Sequence, residues 1–182
     1  MTVSAVPEKK TLWTIDPAHS HVEFAVKHLM ISTVRGRFGE LTGQVTADED
    51  LRDAEVEASI DSASIDTRQA DRDTHLRSAD FFDAENHPTM TFKSTRVEPQ
   101  GDGGLRVAGN LTIKGITKEV VLSVMPEGRG KDPWGGERAG FTATTKINRR
   151  DFGLTWNQAL ETGGVVVGDE IKISIDTELV KS

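Results

Sequence analysis

The sequence contains no cysteine among its 182 residues. Disulfide bonds, thiolate metal ligands and a cysteine nucleophile are therefore excluded. Tyrosine is also absent, which excludes acid–base chemistry at a phenol group. Aromatic residues make up 5% of the chain, as seven phenylalanines and three tryptophans.

Positive charge is in deficit, because 22 lysines and arginines face 29 acidic residues and give a net charge of −7. A nucleic-acid binder normally carries a basic face or stripe, so we expect no nucleic-acid partner. No run of about 18 apolar residues occurs, so we expect no stable membrane insertion. The first residues also lack the apolar run of a secretory signal. We expect a flexible N-terminal tail over residues 1–10, a single domain over residues 11–182 and a cytoplasmic location.

Alternation of apolar and polar residues dominates the chain from Thr11 onward. Near the C-terminus, Ile171, Ile173 and Ile175 alternate with charged or polar residues, which is the pattern of a strand with one buried face. Similar runs are rich in β-branched residues, and the connections are mostly too short for crossover helices, which predicts antiparallel pairing. About nine strands are predicted, over residues 11–15, 20–28, 38–47, 56–65, 89–97, 105–113, 119–125, 139–147 and 170–180, with a long loop over residues 128–136.

One stretch has the character of a helix. Thr67 or Asp66 can cap a helix over Gln69–Ser78. Its apolar stripe is thin, so the helix is not expected to be a core element. Phe81 and Phe82 follow at once. We therefore predict a short helix that lies over a rim, with two aromatic rings beneath it.

The alternating strands fit two architectures. Closure into a barrel removes exposed edge strands, and a barrel of about eight strands is either filled by side chains or holds one small ligand. Small residues at predicted inner positions, such as Ala58, Gly109 and Ala143, leave room for an elongated apolar slot. A packed β-sandwich explains the same strands, so the residues alone leave both architectures open.

If a slot exists, inward-facing apolar side chains are the candidates for contacting an apolar ligand. Plain core packing explains any single ring equally well. The candidate lining residues are Trp13, Phe24, Val26, Phe38, Phe81, Phe82, Phe92, Leu111, Phe141, Phe152 and Trp156.

Basic side chains at a barrel mouth could hold the polar head of such a ligand, because guanidinium groups pair well with phosphate. Surface solubility is the simpler explanation for any one arginine. Three arginines adjoin predicted turns, and one histidine lies on the predicted helix. The candidate head-group residues are therefore Arg35, Arg37, Arg149 and His75.

The histidines raise the question of a metal site. His19 and His21 would face the same way on a strand, but zinc needs three or four ligands, and the spacing does not bring the five histidines together. We expect no metal and no cofactor. A metal- or histidine-dependent enzyme acting on a hydrophobic substrate remains the alternative to a binding protein, and a solid-cored interaction module is a third possibility.

Several short motifs follow one another in a characteristic order: Trp13–Ser20, Gly36–Phe38, Ser64–Thr67, Arg72–Arg77, Asp80–Asp83, Leu111–Thr117, Asn148–Gly153 and Gly168–Ile171. Together they resemble the YceI-like family. The resemblance implies an all-β, lipocalin-like antiparallel barrel that binds a polyisoprenoid, such as a polyprenyl phosphate or an isoprenoid quinone, without catalysis. Many members of that family are exported, so the chain resembles a cytoplasmic branch. Because relatives often pair, a homodimer is also expected.

Overall fold

A computed structural model describes residues 9–49, 51, 53–161 and 163–182. The predicted N-terminal tail falls mostly on residues 1–8, which lie outside the described part of the chain. The described residues form one α-helix, α1 (Ala70–Arg77), and eleven β-strands. The strands are β1 (Thr11–Ile15), β2 (His21–His28), β3 (Ser32–Phe38), β4 (Leu41–Ala47), β5 (Glu55–Asp61), β6 (Ile65–Asp66), β7 (Thr89–Pro99), β8 (Leu105–Ile113), β9 (Ile116–Lys131), β10 (Glu137–Asn148) and β11 (Glu170–Lys181).

These strands close into one antiparallel barrel. Three neighbouring barrel strands are each divided in two, so that β1 continues as β2, β3 as β4, and β5 as β6. Strands β7 to β11 complete the wall, and β11 closes it by pairing with both β1 and β2. When each divided strand is counted once, the barrel has eight strands, and neighbours around the barrel follow one another along the chain. The predicted lipocalin-like antiparallel barrel of about eight strands with one short helix is confirmed.

The three divided strands break at neighbouring positions. The Asp16 carboxylate caps a 3-10 turn over Pro17–His19 by accepting a backbone N–H. Asp61 caps a second turn over Ser62–Ser64 in the same way, and its own N–H donates to the Glu40 carbonyl at 3.3 Å. Because a local interruption of the ladder bends a strand, this line of breaks helps the wall to curve.

The observed strands agree with the sequence pattern at most positions. The predicted strands over residues 11–15 and 105–113 match β1 and β8. Strand β3 was not predicted, because Gly36 and the arginines beside it obscure the alternation of its inward residues. Strand β9 extends to Lys131, so the predicted long loop shortens to residues 132–136.

The helix begins one residue later than predicted, and its cap is Gln69 rather than Thr67 or Asp66. The Gln69 side chain accepts a hydrogen bond from Arg72 N at 2.7 Å. Thr67 instead donates its N–H and its hydroxyl to the buried Asp73 carboxylate, at 2.8 and 2.6 Å. These bonds attach the middle of α1 to the residue that follows β6. No helix among the described residues, α1 included, has the length and apolar character needed to cross a membrane.

At two inward-facing glycines, an aromatic ring from a neighbouring strand fills the space that a side chain would take. A Cβ added at Gly109 would overlap the ring of Phe92, and one at Gly36 would overlap the ring of Phe24. The expectation that Gly109 leaves room for a slot is therefore wrong, because an aromatic ring fills that place.

Candidate ligand-binding cavity

A cavity of about 270 Å³ lies inside the barrel. Its wall is formed by inward-facing side chains from all eight barrel strands, together with residues of α1 and of three connecting segments. Among the described residues of the wall, the polar members are Thr145, Thr177 and Arg149. An apolar ligand in this space would be stabilised mainly by removal of its surface from water.

Most of the predicted lining residues belong to this wall. On the strands, alternation explains the result, because every second residue faces the barrel interior. Whether a ligand contacts them stays a prediction. The predicted residues that lie on the wall are Phe24, Val26, Phe38, Phe81, Phe82, Phe92, Leu111 and Phe141.

The other three predicted lining residues, Trp13, Phe152 and Trp156, pack outside the cavity wall. Trp13 is 1% exposed, and the Arg129 guanidinium lies 5.2 Å from its ring centre. Phe152 is also buried, within the 3-10 turn Arg149–Phe152. Phe152 and Trp156 lie outside the regular strands, where alternation does not determine which way a side chain faces.

The wall also contains residues that were not among the predicted candidates. Ile171, Ile173 and Ile175 of β11 face the cavity. Their alternation was visible in the sequence and could have identified them. Leu51 and Val167 also line the cavity from connecting segments, where no periodic signal identifies an inward-facing residue.

Aromatic rings cover the end of the cavity beside α1. Phe38 and Phe82 meet edge to face with ring centres 5.5 Å apart. The rings of His75, Phe81 and Trp156 pack against one another, with the centre of the His75 ring 5.1 Å from Phe81 and 4.8 Å from Trp156. His75 Nε2 also lies 2.9 Å from an Asp80 carboxylate oxygen. His75 thus packs in the cover of the cavity, and its contact with a head group stays a prediction.

Arg149 organises the long connection between β10 and β11. It is 2% exposed, and burial lowers the pKa of its guanidinium. Its donors are directed at backbone carbonyls, so a ligand head group would have to compete with these bonds. The guanidinium donates to the carbonyl oxygens of Leu154 at 2.7 Å, Gly168 at 2.8 Å, Trp156 at 2.9 Å and Val167 at 3.3 Å.

Arg35 and Arg37 lie within β3 and not beside a turn, which corrects the reason for choosing them. Phe38 of the same strand faces the cavity, so alternation directs Arg37 and Arg35 to the outer surface, where both are exposed. Arg149 is buried instead. The three arginines therefore do not form a common rim, and their binding to a head group stays a prediction.

A network of charged side chains lies where β1 ends. Asp16, His19 and Glu178 bring potential metal-ligand atoms within 4.8 Å of one another. However, Arg138 Nη1 lies 2.9 Å from an Asp16 oxygen and 2.7 Å from a Glu178 oxygen. A metal ion would meet the positive charge already paired with both carboxylates. The arrangement is therefore better described as an ion-pair network than as a metal site.

The same network shifts the pKa values of its members. Hydrogen bonds from His19 and Arg138 lower the pKa of Asp16 to about 2. The bond to Asp16 in turn raises the pKa of His19. Because Asp16 is ionised at neutral pH, it does not have the protonation state of a general acid there.

The structure also separates the two histidines that were expected to share a strand face. His19 belongs to the 3-10 turn, whereas His21 begins β2. His21 Nε2 lies 3.4 Å from an oxygen of Asp176 and 3.5 Å from one of Glu23. The expected common face is wrong, because the turn interrupts the period-two pattern between them.

The comparison with known proteins agrees with this architecture. A family model described as the YceI-like domain matches residues 13–179. The chain belongs to the YceI-like family. This YceI-like protein is 41% identical to a UPF0312 protein of Staphylococcus epidermidis over 170 residues, which cover 92% of this chain and 96% of the relative.

Solved structures show the same fold as this YceI-like protein. The crystal structure of BcnA from Burkholderia cenocepacia matches with a TM-score of 0.78 and 27% identity, covering 90% of this chain and 98% of BcnA. A polyisoprenoid-binding domain from Saccharophagus degradans, implicated in plant cell wall breakdown, matches with a TM-score of 0.65 and 14% identity. The match covers 93% of this chain and 98% of that domain, and at this identity it concerns the fold alone.

Proposed function

We propose that the protein is a non-catalytic binding or carrier protein that encloses part of a long isoprenoid-type lipid in its barrel. The observation that carries the proposal is the apolar cavity of about 270 Å³, bounded by all eight strands. Membership of the YceI-like family and the fold shared with a polyisoprenoid-binding domain support the same class of ligand. A polyprenyl phosphate and an isoprenoid quinone both belong to this class.

The energetics of such binding follow from the wall of the cavity. Each CH₂ group moved from water into an apolar environment contributes about 0.8 kcal/mol, so a hydrocarbon chain binds without specific polar contacts. The cavity lies just below the range of about 300–1,000 Å³ that is typical of drug-sized ligands. The cavity is therefore sized for a short isoprenoid chain or for one segment of a longer chain.

The polar groups of the wall favour binding over catalysis. The Thr145 hydroxyl donates to the Val121 carbonyl at 2.9 Å, and the donors of Arg149 are engaged by backbone carbonyls. Nucleophilic catalysis requires a nucleophilic side chain within reach of a base, and acid–base catalysis requires a side chain that exchanges a proton with the substrate. The described residues of the wall offer neither arrangement.

Extraction of the purified full-length protein with organic solvent, followed by mass spectrometry, tests the proposal. We expect an isoprenoid-type lipid, or, after lipid removal, binding of added geranylgeraniol or an isoprenoid quinone at about one molecule per chain. Failure to recover any lipid, together with failure to bind either added compound, would contradict the proposed function.

A further inference from the structure

Among the described residues, the barrel wall is not hydrogen bonded along its full height between β5 and β7. The ladder between these strands ends where Glu57 lies opposite Lys93. Beyond that point β7 continues to Pro99, and the pairing described for this part of β7 is with β8, on its other side. We call the resulting gap, between residues 53–57 and 93–97, the β5–β7 seam.

A bulge in β7 accounts for the seam. Ser94 lies opposite Gly109 and Arg96 lies opposite Ala108, so Thr95 is an extra residue in β7. Such a bulge bends the strand and ends regular pairing. At the start of the seam Val56 N donates to the Ser94 hydroxyl at 2.8 Å, where a continued ladder would offer a backbone carbonyl. A side-chain hydrogen bond thus replaces the ladder at this point of the wall.

The seam adjoins the apolar cavity. A groove of about 630 Å³ occupies the seam, and Ala54 and Val56 line both this groove and the cavity. Apart from these two residues and Val97, the described wall of the groove consists of polar and charged side chains. Ala54 and Val56 therefore form the part of the wall that separates the apolar interior from this polar surface groove.

The opposite end of the cavity is covered. There, the rings of Phe38, Phe82 and Phe81 pack together with α1, and Arg149 holds the connection between β10 and β11 through four backbone carbonyls. Opening that end would break several buried contacts together. Among the described residues, opening the seam would break the hydrogen bond between Val56 and Ser94 and the exposed ion pair between Lys93 and Glu57, so the seam is the easier route.

The charges of the groove restrict the group that fits there. Lys93 Nζ lies 3.3 Å from a Glu57 oxygen, and Arg96 Nε lies 2.9 Å from a Glu98 oxygen. Both basic side chains in the described wall of the groove are therefore paired with carboxylates. Two acidic residues of the groove are paired in turn, because Lys10 Nζ lies 3.3 Å from an Asp53 oxygen and 3.6 Å from a Glu55 oxygen. An anionic head group would find each of these cations already paired, whereas an uncharged group can hydrogen bond to the same side chains.

We propose that the β5–β7 seam is the mouth of the lipid cavity and that it holds an uncharged, hydrogen-bonding end group of the bound lipid. The inference rests on the proposed lipid-binding function, and it specifies the route of entry and the chemistry of the end group. It assigns the polar end of the ligand to a surface other than that of Arg35 and Arg37.

Blocking the seam with a removable group tests the route. Because the chain has no cysteine, an Ala54→Cys variant offers one thiol, which a bulky methanethiosulfonate reagent can modify and a reductant can restore. The rate of loading with radiolabelled geranylgeraniol is measured by rapid gel filtration. We expect modification to slow loading by at least about ten-fold and reduction to reverse the effect.

Two variants serve as controls for the same modification. Thr144→Cys places the group on the exposed outer face of β10, and Ala79→Cys places it at the end of the barrel beside α1. We expect modification at either site to leave the loading rate unchanged. Unchanged loading after modification of Ala54→Cys, or slower loading after modification of Ala79→Cys alone, would overturn the proposed route. Failure of the unmodified protein to bind geranylgeraniol or an isoprenoid quinone, with no lipid recovered by extraction, would instead refute the lipid-binding function, and the route with it.

A second measurement tests the end group. We expect the unaltered protein to bind geranylgeraniol at least about ten-fold more tightly than geranylgeranyl monophosphate at low ionic strength. The Glu57→Gln variant frees Lys93 from its partner and should shift the ratio of the two affinities toward the phosphate. Tighter binding of the phosphate by the unaltered protein would contradict the assignment of an uncharged end group, even if the seam is the route of entry.

Discussion

The ring of Phe92 on β7 lies directly over Gly109 on the neighbouring strand β8. A side chain at Gly109 would overlap this ring, and its Cβ would also lie 2.7 Å from the Lys93 carbonyl oxygen. Glycine is suited to this position because it lets a neighbouring ring approach the backbone closely. The inner wall is thereby packed by a residue from the adjacent strand.

We expect Gly109→Ala to lower the free energy of unfolding by about 1–3 kcal/mol, because the added methyl group overpacks the wall against Phe92. Gly130→Ala in β9 is the matched control, since nothing lies within 4 Å of the added Cβ. The control should change stability by less than about 0.5 kcal/mol. Urea unfolding of both variants makes the comparison, and equal effects would show that the ring contact is unimportant.

Filling the cavity should abolish ligand binding while the barrel stays folded. Ala143 lines the cavity, so Ala143→Phe should weaken binding of geranylgeraniol by at least about ten-fold. Thr144→Phe places the same ring on the outer face of the same strand and should leave binding unchanged. Circular dichroism verifies the fold of both variants, and Ala58→Leu fills the cavity with a smaller group. Undiminished binding by both filled variants would place the ligand outside the barrel.

Replacing Arg149 should destabilise the protein strongly. Hydrogen bonds to a charged group contribute about 1.5–3 kcal/mol each, so Arg149→Met, which removes several of them, should cost at least about 3 kcal/mol. Arg149→Lys should lower the free energy of unfolding by nearly as much, because one ammonium group does not reproduce the planar array of donors of a guanidinium. Arg150 is exposed and pairs with Asp169 at 2.9 Å, so Arg150→Met serves as the control. It should lower the free energy of unfolding by less than about 1 kcal/mol. Guanidinium unfolding gives all three values.

Stability in acid should depend on Asp16. Its pKa in the folded state is about 2, below the ordinary value of 3.8, so its contribution is complete above pH about 4 and is lost as the pH falls toward about 2. Urea unfolding at a series of pH values should show a steeper loss for the unaltered protein than for Asp16→Asn. Arg138→Gln removes one of the groups that lower this pKa, so the loss should be smaller and should end at a higher pH. Parallel pH profiles for all three proteins would contradict this account.

The outward position of Arg35 and Arg37 can be examined directly. Because both are exposed on β3, we expect the double variant Arg35→Gln, Arg37→Gln to change the affinity for geranylgeranyl monophosphate by less than about two-fold at physiological ionic strength. Geranylgeraniol is the uncharged control ligand. Weaker binding of geranylgeranyl monophosphate, with unchanged binding of geranylgeraniol, would instead show that these arginines bind the head group.

The candidate site was predictable where it lies on regular strands. Phe24, Phe92 and Leu111 were identified as inward-facing because a strand directs alternate side chains to one face. Trp13, Phe152 and Trp156 were also predicted to line the cavity, but they pack outside its wall. Hydrophobic character alone does not distinguish a residue that faces a cavity from one buried at the end of the barrel.

The sequence by itself determined the antiparallel all-β class, the short helix and most of the inward faces, because the alternation of apolar and polar residues depends on residues close together in the chain. Tertiary structure alone decided that Phe92 fills the place of Gly109, that Arg149 binds backbone carbonyls, and where the β5–β7 seam opens. The Phe92–Gly109 contact and the seam depend on the pairing register of separate strands, and the Arg149 bonds depend on how the long connection between β10 and β11 folds. A single bulged residue, Thr95, changes that register, so that the inward-facing positions of β7 shift from Phe92 before it to Val97, opposite Val107, after it.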